Sequence, residues 1–444
     1  MEKIVCKFGG TSLADATQIR KVRAIVESDA RRRFVVVSAP GKRHKNDAKI
    51  TDLLLTSWHL AAQHLDYSEP QRMIRDRYDE IARDLGIAPL TYPLEEMAAE
   101  LAKLSSGDES SLATRDWMAA RGEFCHALLI ADFMGATFVP SGECIRFDEE
   151  GLLDAVSYEN LANLLADDSK TYVVPGFYGR DKNGRIKTFP RGGSDITGAV
   201  VARAVGASVY ENWTDVSGLL MADPRVVENP KPIGEVTYRE LRELAYMGAS
   251  VLHEETIFPA SEAGIPIQIK NTNAPNDPGS RIVASRDATT GSIVGIAGRT
   301  GFSTIYIEKA MMNQQRGFGR RVLEILETNG VSFEHMPSAI DSMSVVIGDE
   351  NFHGNETTVI KELKRTLQPD RIELLDKMAL IATVGEGMAY RVGVSGQLFD
   401  ALREAKVNVR MISQGASEIN IIVGVSESDY ERAVGAIYKA FVGS

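Results

Sequence analysis

Two short motifs place adjacent glycines beside a charged side chain, where a strand pattern gives way to a helix pattern. The first reads KFGGTS over 7–12 and precedes a helical pattern that starts near Ala16. Glycines let backbone amides approach an anion, a helix N-terminus adds partial positive charge, and Lys7 adds a full one. The segment matches neither GxxxxGK[ST] nor GxGxxG. It predicts either an anion-binding turn or a purely structural strand-turn-helix junction.

The second motif reads RGGSD over 191–195 and also precedes a helical pattern. Arginine grips a carboxylate through two parallel hydrogen bonds, so Arg191 beside glycines suits a small charged ligand. The alternative is that Ser194 or Asp195 only caps the helix. The presence of the first motif favours a ligand site.

A third polar segment, NWTDVSG over 212–218, follows a strand pattern and runs on to ADPR at 222–225. Such strand ends form binding loops, but loops of this composition are also common without function. Two smaller signals are ITDLL over 50–54 and RGE over 121–123. Glycine inside a helix costs roughly 1 kcal/mol relative to alanine, so Gly122 predicts a close approach of another element.

Composition limits the classes of protein that these motifs can belong to. The chain has 444 residues, a formal net charge of −11, 44% hydrophobic residues and 25% charged residues, which indicates a globular protein of about three domains. It has no apolar run of membrane-spanning length and no signal-peptide pattern, and its acidic balance argues against a nucleic-acid partner. Three cysteines without CxxC spacing predict buried reduced thiols rather than a zinc site. We therefore expect a cytoplasmic protein with no membrane or nucleic-acid partner.

Short β-branched runs alternate with helical patterns from the start of the chain to about residue 280. The runs that predict buried strands are 4–8, 34–37, 171–174, 208–210 and 265–269. This alternation predicts a largely parallel α/β sheet, whose ligands lie at the carboxyl ends of the strands. The stretch 52–134 is helical in pattern and predicts an insertion over one end of the sheet. The polar residues just after each strand are therefore the candidates for a site.

Between 271 and 291 the sequence becomes rich in Asn, Pro, Gly, Ser and Thr, which indicates a domain boundary. Beyond it the chain repeats itself weakly, since 331–333 aligns with 407–409 and 345–347 aligns with 421–423. Each unit reads as a loop, a helix, a strand, a turn and a strand, the pattern of a ferredoxin-like α+β module. The alternative is a chance alignment of two α+β segments.

Read together, the motifs resemble the aspartate kinase family of the amino acid kinase superfamily. The resemblance runs through nearly the whole chain in the order KFGGTS at 7–12, VVVSAPG at 35–41, ITDLL at 50–54, RGE at 121–123, RGGSD at 191–195, WTDVSGLLMADPR at 213–225 and GASVLH at 248–253, followed by two modules similar to ACT domains. It implies an amino acid kinase fold, α/β with a largely parallel sheet and helices on both faces, over 1–290. The implied ACT modules, both α+β, cover 302–376 and 377–444.

The resemblance also implies an activity, the phosphorylation of the β-carboxylate of L-aspartate by ATP, which gives 4-phospho-L-aspartate for lysine, threonine and methionine synthesis. Lys7 would neutralise the transferring phosphoryl group and Asp195 would orient Lys7, so both are implied to be catalytic. Substrate binding, with Arg191 on the α-carboxylate and Glu123 on the ammonium, is implied for Thr51, Glu123, Arg191, Gly192, Gly193 and Ser194. Nucleotide binding is implied for Lys7, Gly9, Gly10, Ser12, Thr214, Asp215 and Arg225.

The chemistry agrees with this division of roles. The nucleophile is the substrate's own carboxylate, which is ionised at pH 7, so no general base is needed. Positioning and charge neutralisation then carry the reaction, as in other phosphoryl transfers. The expected cofactors are ATP and Mg2+, with the ion held mainly by the phosphates, and no side chain is assigned as a metal ligand.

Two segments depart from the family pattern. Ser250 lies in GASVLH where many members have lysine, so a nucleotide contact made by that lysine is absent or replaced. The loop over 41–49 is longer and more basic than in many relatives, which makes the placement of Thr51 less secure than that of Lys7.

In the family, paired ACT modules bind end-product amino acids and associate between chains, which implies a homodimer or a larger homo-oligomer. The residues implied around an effector are Met312, Phe318, Glu334, Asp341 and Ser342. Lysine is the expected effector, with threonine as the alternative, because Glu334 and Asp341 could pair with a second ammonium.

Two other functions stay open. The same fold could phosphorylate another amino acid or carboxylate, although Arg191 and Glu123 together favour an amino acid. The kinase-like domain could instead be an inactive amino acid sensor, although the combined presence of Lys7, Arg191 and Asp195 argues against this.

Overall fold

The structure is a computed structural model that describes residues 2–190, 192–249, 252, 254–287 and 291–443, with backbone alone at 254 and 255. The chain divides into two compact units. The first comprises Met1–Leu219, Pro232–Tyr238 and Val251–Arg286, and the second comprises Leu220–Lys231, Arg239–Ser250 and Asp287–Ser444. Two segments from the predicted catalytic range therefore pack with the second unit.

In the described part of the first unit, one large sheet carries most of the strands. The strands are β1 (Ile4–Phe8), β2 (Arg32–Val37), β3 (Thr137–Phe138), β4 (Tyr172–Pro175), β5 (Tyr178–Arg180), β6 (Ile186–Thr188), β7 (Val209–Thr214), β8 (Glu235–Thr237), β9 (Ile267–Asn271) and β10 (Ser280–Val283). The sheet has the order β3-β4-β2-β1-β7-β9-β10-β8, and β5 and β6 form a separate hairpin. Its neighbouring strands are parallel except for β9 and β10, which confirms the predicted, largely parallel sheet.

Helices lie between several of these strands. They are α1 (Ala16–Glu27), α2 (Ile50–Ala62), α3 (Ser68–Leu85), α4 (Thr91–Ser106), α5 (Arg115–Met134), α6 (Ser141–Cys144), α7 (Val156–Leu164), α8 (Gly193–Val205), α9 (Tyr238–Tyr246) and α10 (Glu254–Glu262), with most of α9 in the second unit. The helices α2 to α5 account for the predicted helical stretch.

The side chains of β1 alternate between the two faces of the sheet. Ile4, Cys6 and Phe8 lie in a hydrophobic cluster with residues of α1 to α5. Successive side chains of a strand point to opposite faces, so Lys7 lies on the other face. The helix α8 packs on β1, β2 and β7. One alternating strand thus supplies both a core layer and a buried cation.

Most of the predicted strands are shifted or extended by a few residues, and β7 differs most. The strand β7 continues to Thr214, so Trp213 and Thr214 lie in the sheet rather than in a loop. It pairs in parallel with β1 on one side and β9 on the other, and this pairing extends it beyond its β-branched run. The strand β9 begins at Ile267, two residues later than predicted.

The second unit contains a single antiparallel sheet in the order β12-β11-β13-β15-β14 among its described residues. Its strands are β11 (Gly295–Glu308), β12 (Ser342–Gly348), β13 (Arg371–Val384), β14 (Met411–Ser413) and β15 (Asn420–Ser426). Its helices after α9 are α11 (Phe318–Thr328), α12 (Asp349–Phe352), α13 (Glu356–Leu367), α14 (Val394–Glu404) and α15 (Tyr430–Val442).

Two hydrophobic clusters occupy this second unit, one for each half of the internal repeat. The first joins α11 and α13 to β11 and β12, and the second joins α14 and α15 to β13 and β15. The long strands β11 and β13 pair along nearly their whole length, so the two α+β modules share one sheet.

The three cysteines, Cys6, Cys125 and Cys144, are buried and free, as their spacing predicts. Across the described residues, no helix is both long enough and apolar enough to cross a bilayer.

Candidate active site

A buried ion pair lies at the carboxyl end of β1. The Lys7 Nζ is 2.6 Å from Asp195 Oδ1, and the side chains are 9% and 20% exposed. Lys7 comes from the strand and Asp195 from the first turn of α8, where a carboxylate also meets the positive end of the helix dipole. The structure thus brings together the two residues predicted to be catalytic.

Asn212 is a third member of this cluster that the sequence reasoning did not assign to the site. Its Nδ2 donates to Asp195 Oδ1 at 2.7 Å. The parallel register places Asn212 directly beside Lys7, so both side chains emerge on the same face. The available signal was its position in the strand pattern, two residues before Thr214, but the register that pairs it with Lys7 is a tertiary property.

Close backbone approaches shape the N-terminus of α8. Gly192 has φ +64, in the left-handed region that favours glycine, and a Cβ there would lie 2.4 Å from Thr256 Cγ2. A Cβ on Gly193 would lie 2.6 Å from the Phe177 ring. Ser194 is buried against Gly176. Arg191, the predicted carboxylate ligand, lies outside the described residues, as does Ser250.

The glycine turn after β1 differs from its expected form. A 3-10 turn, Gly10–Leu13, separates it from α1, and the α1 N-terminus is capped by the Asp15 carboxylate, which accepts from Gln18 N at 2.9 Å. The Gly9 N–H donates to Trp213 O at 3.0 Å, which extends the pairing of β1 with β7. The helix end is therefore not free to face a phosphate, and in this arrangement the Gly9 amide is already bonded.

The predicted nucleotide residues of the first unit lie around this turn and the end of β7. Ser12 is buried, and its hydroxyl accepts a hydrogen bond from Thr272 Oγ1 at 2.8 Å. Thr214 and the exposed Asp215 are joined by a 3.2 Å hydrogen bond. Arg225 belongs to the second unit, where it is exposed and pairs with Asp223.

Glu123 is a buried carboxyl on α5, 6% exposed. Its Oε2 has no hydrogen-bond partner within the part of the chain that the structure describes. Burial raises the pKa of Glu123 to about 7, and this rise is opposed by a hydrogen bond from the Ala39 backbone and by the charge of Lys7. Such a carboxyl is poised to accept a cation.

The helix end that carries Thr51 packs beside Glu123. A Cβ on Gly122 would lie 2.9 Å from Ala39 Cβ and 3.3 Å from the Leu54 side chain of α2. This confirms the close approach predicted from Gly122. Thr51 lies in the first turn of α2 and is partly exposed. The basic loop before it is anchored by Asp47, which pairs with Arg43 and Arg77.

Four of the five predicted effector residues lie in one region of the second unit, and Glu334 lies apart from them. Met312 and Phe318 are buried in the cluster of α11. The Asp341 Oδ1 accepts from Met311 N at 2.8 Å, which places the carboxylate beside Met312, and Ser342 begins β12.

Glu334 lies elsewhere in the second unit. Its backbone N–H bonds to Val346 O, four residues along β12 from Ser342, which corresponds to roughly 13 Å of strand. Its carboxylate pairs with Arg299 at 3.0 Å and accepts from the hydroxyl of Tyr246 on α9. The structure therefore does not bring Glu334 together with Asp341.

Comparisons with known proteins agree with this site and fold. The amino acid kinase family model matches residues 2–271, and an ACT domain model matches residues 381–441. The chain is 43% identical to aspartokinase 3 of Bacillus subtilis over 98% of both chains. Lysine-sensitive aspartokinase 3 of Escherichia coli is 28% identical over 99% of both chains.

Solved structures give the same result. Aspartate kinase of Clostridium acetobutylicum matches with a TM-score of 0.90 and 46% identity, over 99% of this chain and 100% of that one. Aspartokinase III of E. coli in complex with aspartate and ADP matches with a TM-score of 0.75 and 28% identity over 99% of both. The same E. coli enzyme in complex with lysine and aspartate matches with a TM-score of 0.74 and 28% identity over 100% of both.

The fold and the site define a kinase of small amino acid substrates with a C-terminal ACT region. The chain belongs to the amino acid kinase family and, within it, to the aspartokinases, the enzymes that phosphorylate aspartate in amino acid biosynthesis. This confirms the resemblance read from the motifs.

Fast turnover should depend on the buried Lys7 ammonium. Lys7→Ala should lower kcat by about two to three orders of magnitude, because one preorganised charge at a developing anion contributes on that scale. Asp195→Asn should also lower kcat, since it keeps the contact to Asn212 but leaves Lys7 without its counter-charge. Steady-state ADP release measures both.

Lys3→Ala is the matched control. Lys3 precedes the same strand, and its 3.7 Å contact with Asp168 is a partly exposed ion pair that contributes little. Equal kcat values for the Lys7 and Lys3 variants would show that Lys7 has no catalytic role.

Proposed function

We propose that this chain transfers the γ-phosphoryl group of ATP to the β-carboxylate of L-aspartate, giving 4-phospho-L-aspartate and ADP. The reaction would be the first step toward lysine, threonine and methionine. The E. coli relative was solved with aspartate and ADP, which supports aspartate as the acceptor and an adenine nucleotide as the phosphoryl donor. The observation that carries the proposal is the buried Glu123 carboxyl with one oxygen unpaired among the described residues. The ammonium of an amino acid would supply the missing donor.

The proposed site residues of the first unit would then have distinct roles in binding and catalysis. Glu123 would bind the ammonium and Arg191 the α-carboxylate, while Gly192, Gly193, Ser194 and Thr51 would shape the aspartate pocket. The Lys7 ammonium would offset charge on the transferring phosphoryl group, and Asp195 would hold that ammonium in place. The aspartate carboxylate is itself the nucleophile, so positioning replaces general-base chemistry.

The proposed nucleotide residues are Gly9, Gly10, Ser12, Thr214, Asp215 and Arg225. The bond from Gly9 to Trp213 favours Gly10 as the closer amide donor to phosphate. ATP would bring Mg2+ on its phosphate oxygens, which are the hard oxygen ligands that this ion prefers. Among the described residues, no three His, Cys, Asp or Glu side chains group as a metal site.

The proposed function also includes the predicted domains, cellular location and oligomeric state. These are a catalytic domain over 1–290, ACT modules over 302–376 and 377–444, a cytoplasmic location, and a homodimer or larger oligomer. Lysine is the proposed effector, supported by the E. coli relative solved with lysine. Asp341 would take its second ammonium beside Met312, Phe318 and Ser342. Glu334 is already neutralised by Arg299, so its direct contribution should be smaller.

The activity is tested by ADP release with ATP, Mg2+ and a panel of acceptors. L-Aspartate should support turnover, and succinate, which lacks only the ammonium, should not. Turnover with L-glutamate but not with L-aspartate would support phosphoryl transfer and show that aspartate is not the acceptor. Absence of turnover with every acceptor, with the protein folded by circular dichroism, would favour the inactive sensor.

The pKa of Glu123 gives the aspartate site a distinct pH dependence. Below about pH 7 the carboxyl becomes neutral and loses its attraction for the ammonium, so kcat/KM for aspartate should fall about tenfold per pH unit toward pH 5. Glu123→Gln should give a low kcat/KM that is flat over this range. A profile in the Gln variant that keeps the wild-type midpoint would remove Glu123 from the role of ammonium ligand.

Lysine binding is tested by isothermal titration. Asp341→Asn should weaken lysine about tenfold or more, the scale of one hydrogen bond to a charged group, whereas Glu334→Gln should weaken it less. A larger effect of Glu334→Gln would reverse this assignment. Heat with threonine and none with lysine would overturn the choice of effector.

A further inference from the structure

The start of the connection between β2 and α2, residues 38–41, is held against the glycine turn. The Ser38 N–H donates to Phe8 O at 3.2 Å, and the Gly41 N–H donates to Gly10 O at 2.9 Å. A Cβ on Gly41 would lie 2.4 Å from the Gly10 carbonyl carbon, so the two backbones are in direct contact. A displacement of this connection would therefore move the Gly10 turn.

The opposite side of this connection is held by α5. Gly122 lets Ala39 approach the helix, and the Ala39 N–H donates to the Glu123 carboxyl. One turn further on, His126 Nδ1 is 2.9 Å from Ser38 O. A carbonyl oxygen only accepts hydrogen bonds, so Nδ1 carries the proton. Three consecutive contacts thus join one face of α5 to residues 38 and 39.

His126 has no assigned role in the proposed function, although it is completely buried. Its Nε2 has no hydrogen-bond partner in the described residues. Burial lowers the pKa of His126 to about 4, a shift that the Ser38 carbonyl opposes and the charge of Arg77 supports. At neutral pH the imidazole is therefore an uncharged donor with a single fixed bond.

We propose that His126 is a positioning residue for the amino acid site, which holds Ser38 so that the Ala39 N–H stays on the Glu123 carboxylate and Gly41 stays on Gly10. This inference rests on the proposed role of Glu123 in binding the substrate ammonium. The hydrogen bond from Ala39 stabilises the charged carboxylate against the larger effect of burial, so the contact at Ser38 favours the ionised form of Glu123.

Other ionisable groups among the described residues also face Glu123. They are Lys7 from β1, Tyr78 from α3 and Tyr178 from β5. The Tyr78 hydroxyl bonds to Gly122 O at 2.8 Å, and its ring meets the His126 ring edge-on with the centroids 6.3 Å apart. A substitution of His126 that keeps its volume leaves these groups in place, so a change in Glu123 ionisation reports on residues 38 and 39.

His126→Leu removes the donor and fills the space, whereas His126→Asn keeps an N–H near the position of Nδ1. For the Leu variant we expect the pH midpoint of kcat/KM for aspartate to rise by about half a unit to one unit. KM for aspartate at pH 7 should rise about threefold to tenfold, the scale of one neutral hydrogen bond, with a smaller change in KM for ATP. The Asn variant should recover most of both effects.

Ile130→Val on the same helix is the control for a loss of packing alone. It should lower the thermal unfolding midpoint without moving the pH midpoint. If the Leu variant does not fold, His126→Ala tests the same loss of the donor. An unchanged pH midpoint in the folded variant, or equal shifts in the Leu and Asn variants, would overturn the positioning role.

The failure of this inference is distinguishable from failure of the proposed function. If Glu123→Gln flattens the pH profile while His126→Leu leaves its midpoint in place, only the role of His126 is wrong. If Glu123→Gln leaves the wild-type midpoint unchanged, the assignment of Glu123 is wrong, and the role of His126 fails with it.

Discussion

A lysine ammonium that is nine-tenths withdrawn from water has to be paired, and this requirement organises the first unit. Breaking a buried ion pair by removing one partner typically costs about 3–5 kcal/mol, since the remaining charge stays desolvated. The pair of Lys7 and Asp195 therefore requires the end of β1 and the first turn of α8 to meet. Asn212 on β7 supports the same carboxylate. A preorganised cation at the carboxyl edge of a parallel sheet is what phosphoryl transfer to a carboxylate needs.

The second constraint is the lack of room for a side chain at three glycines. Gly41 against Gly10, Gly122 against Ala39 and Gly192 against Thr256 each lack space for a Cβ. At these glycines, the turn after β1, the part of α5 that carries Glu123 and the N-terminus of α8 pack closely against neighbouring elements. Glycine is entropically costly in regular structure, so its use here marks positions where proximity matters more than local stability.

The second unit shows a different arrangement, in which paired strands rather than buried charge join the two modules. The strands β11 and β13 run through both halves of its sheet. The helix α9, from a sequence position before either predicted ACT module, contacts both halves. Its Glu240 accepts from Glu386 N at 2.8 Å, its Glu243 accepts from Asn420 at 2.5 Å, and its Tyr246 meets Glu334. Glu334 is thereby engaged within the unit, apart from Asp341.

Strand periodicity, glycine turns and short motifs are local properties, so they predicted the class of fold, the internal repeat and the candidate site residues. Lys7, Asp195 and Glu123 could be named from their motifs alone. Other features depend on the tertiary fold. They are the partnership of Asn212 with Asp195, the bond from Gly9 to Trp213, the 3-10 turn before α1 and the separation of Glu334 from Asp341. Strand register and the packing of α5 on residues 38 and 39 join positions far apart in the chain. No local pattern specifies which donor will meet which acceptor across such a distance.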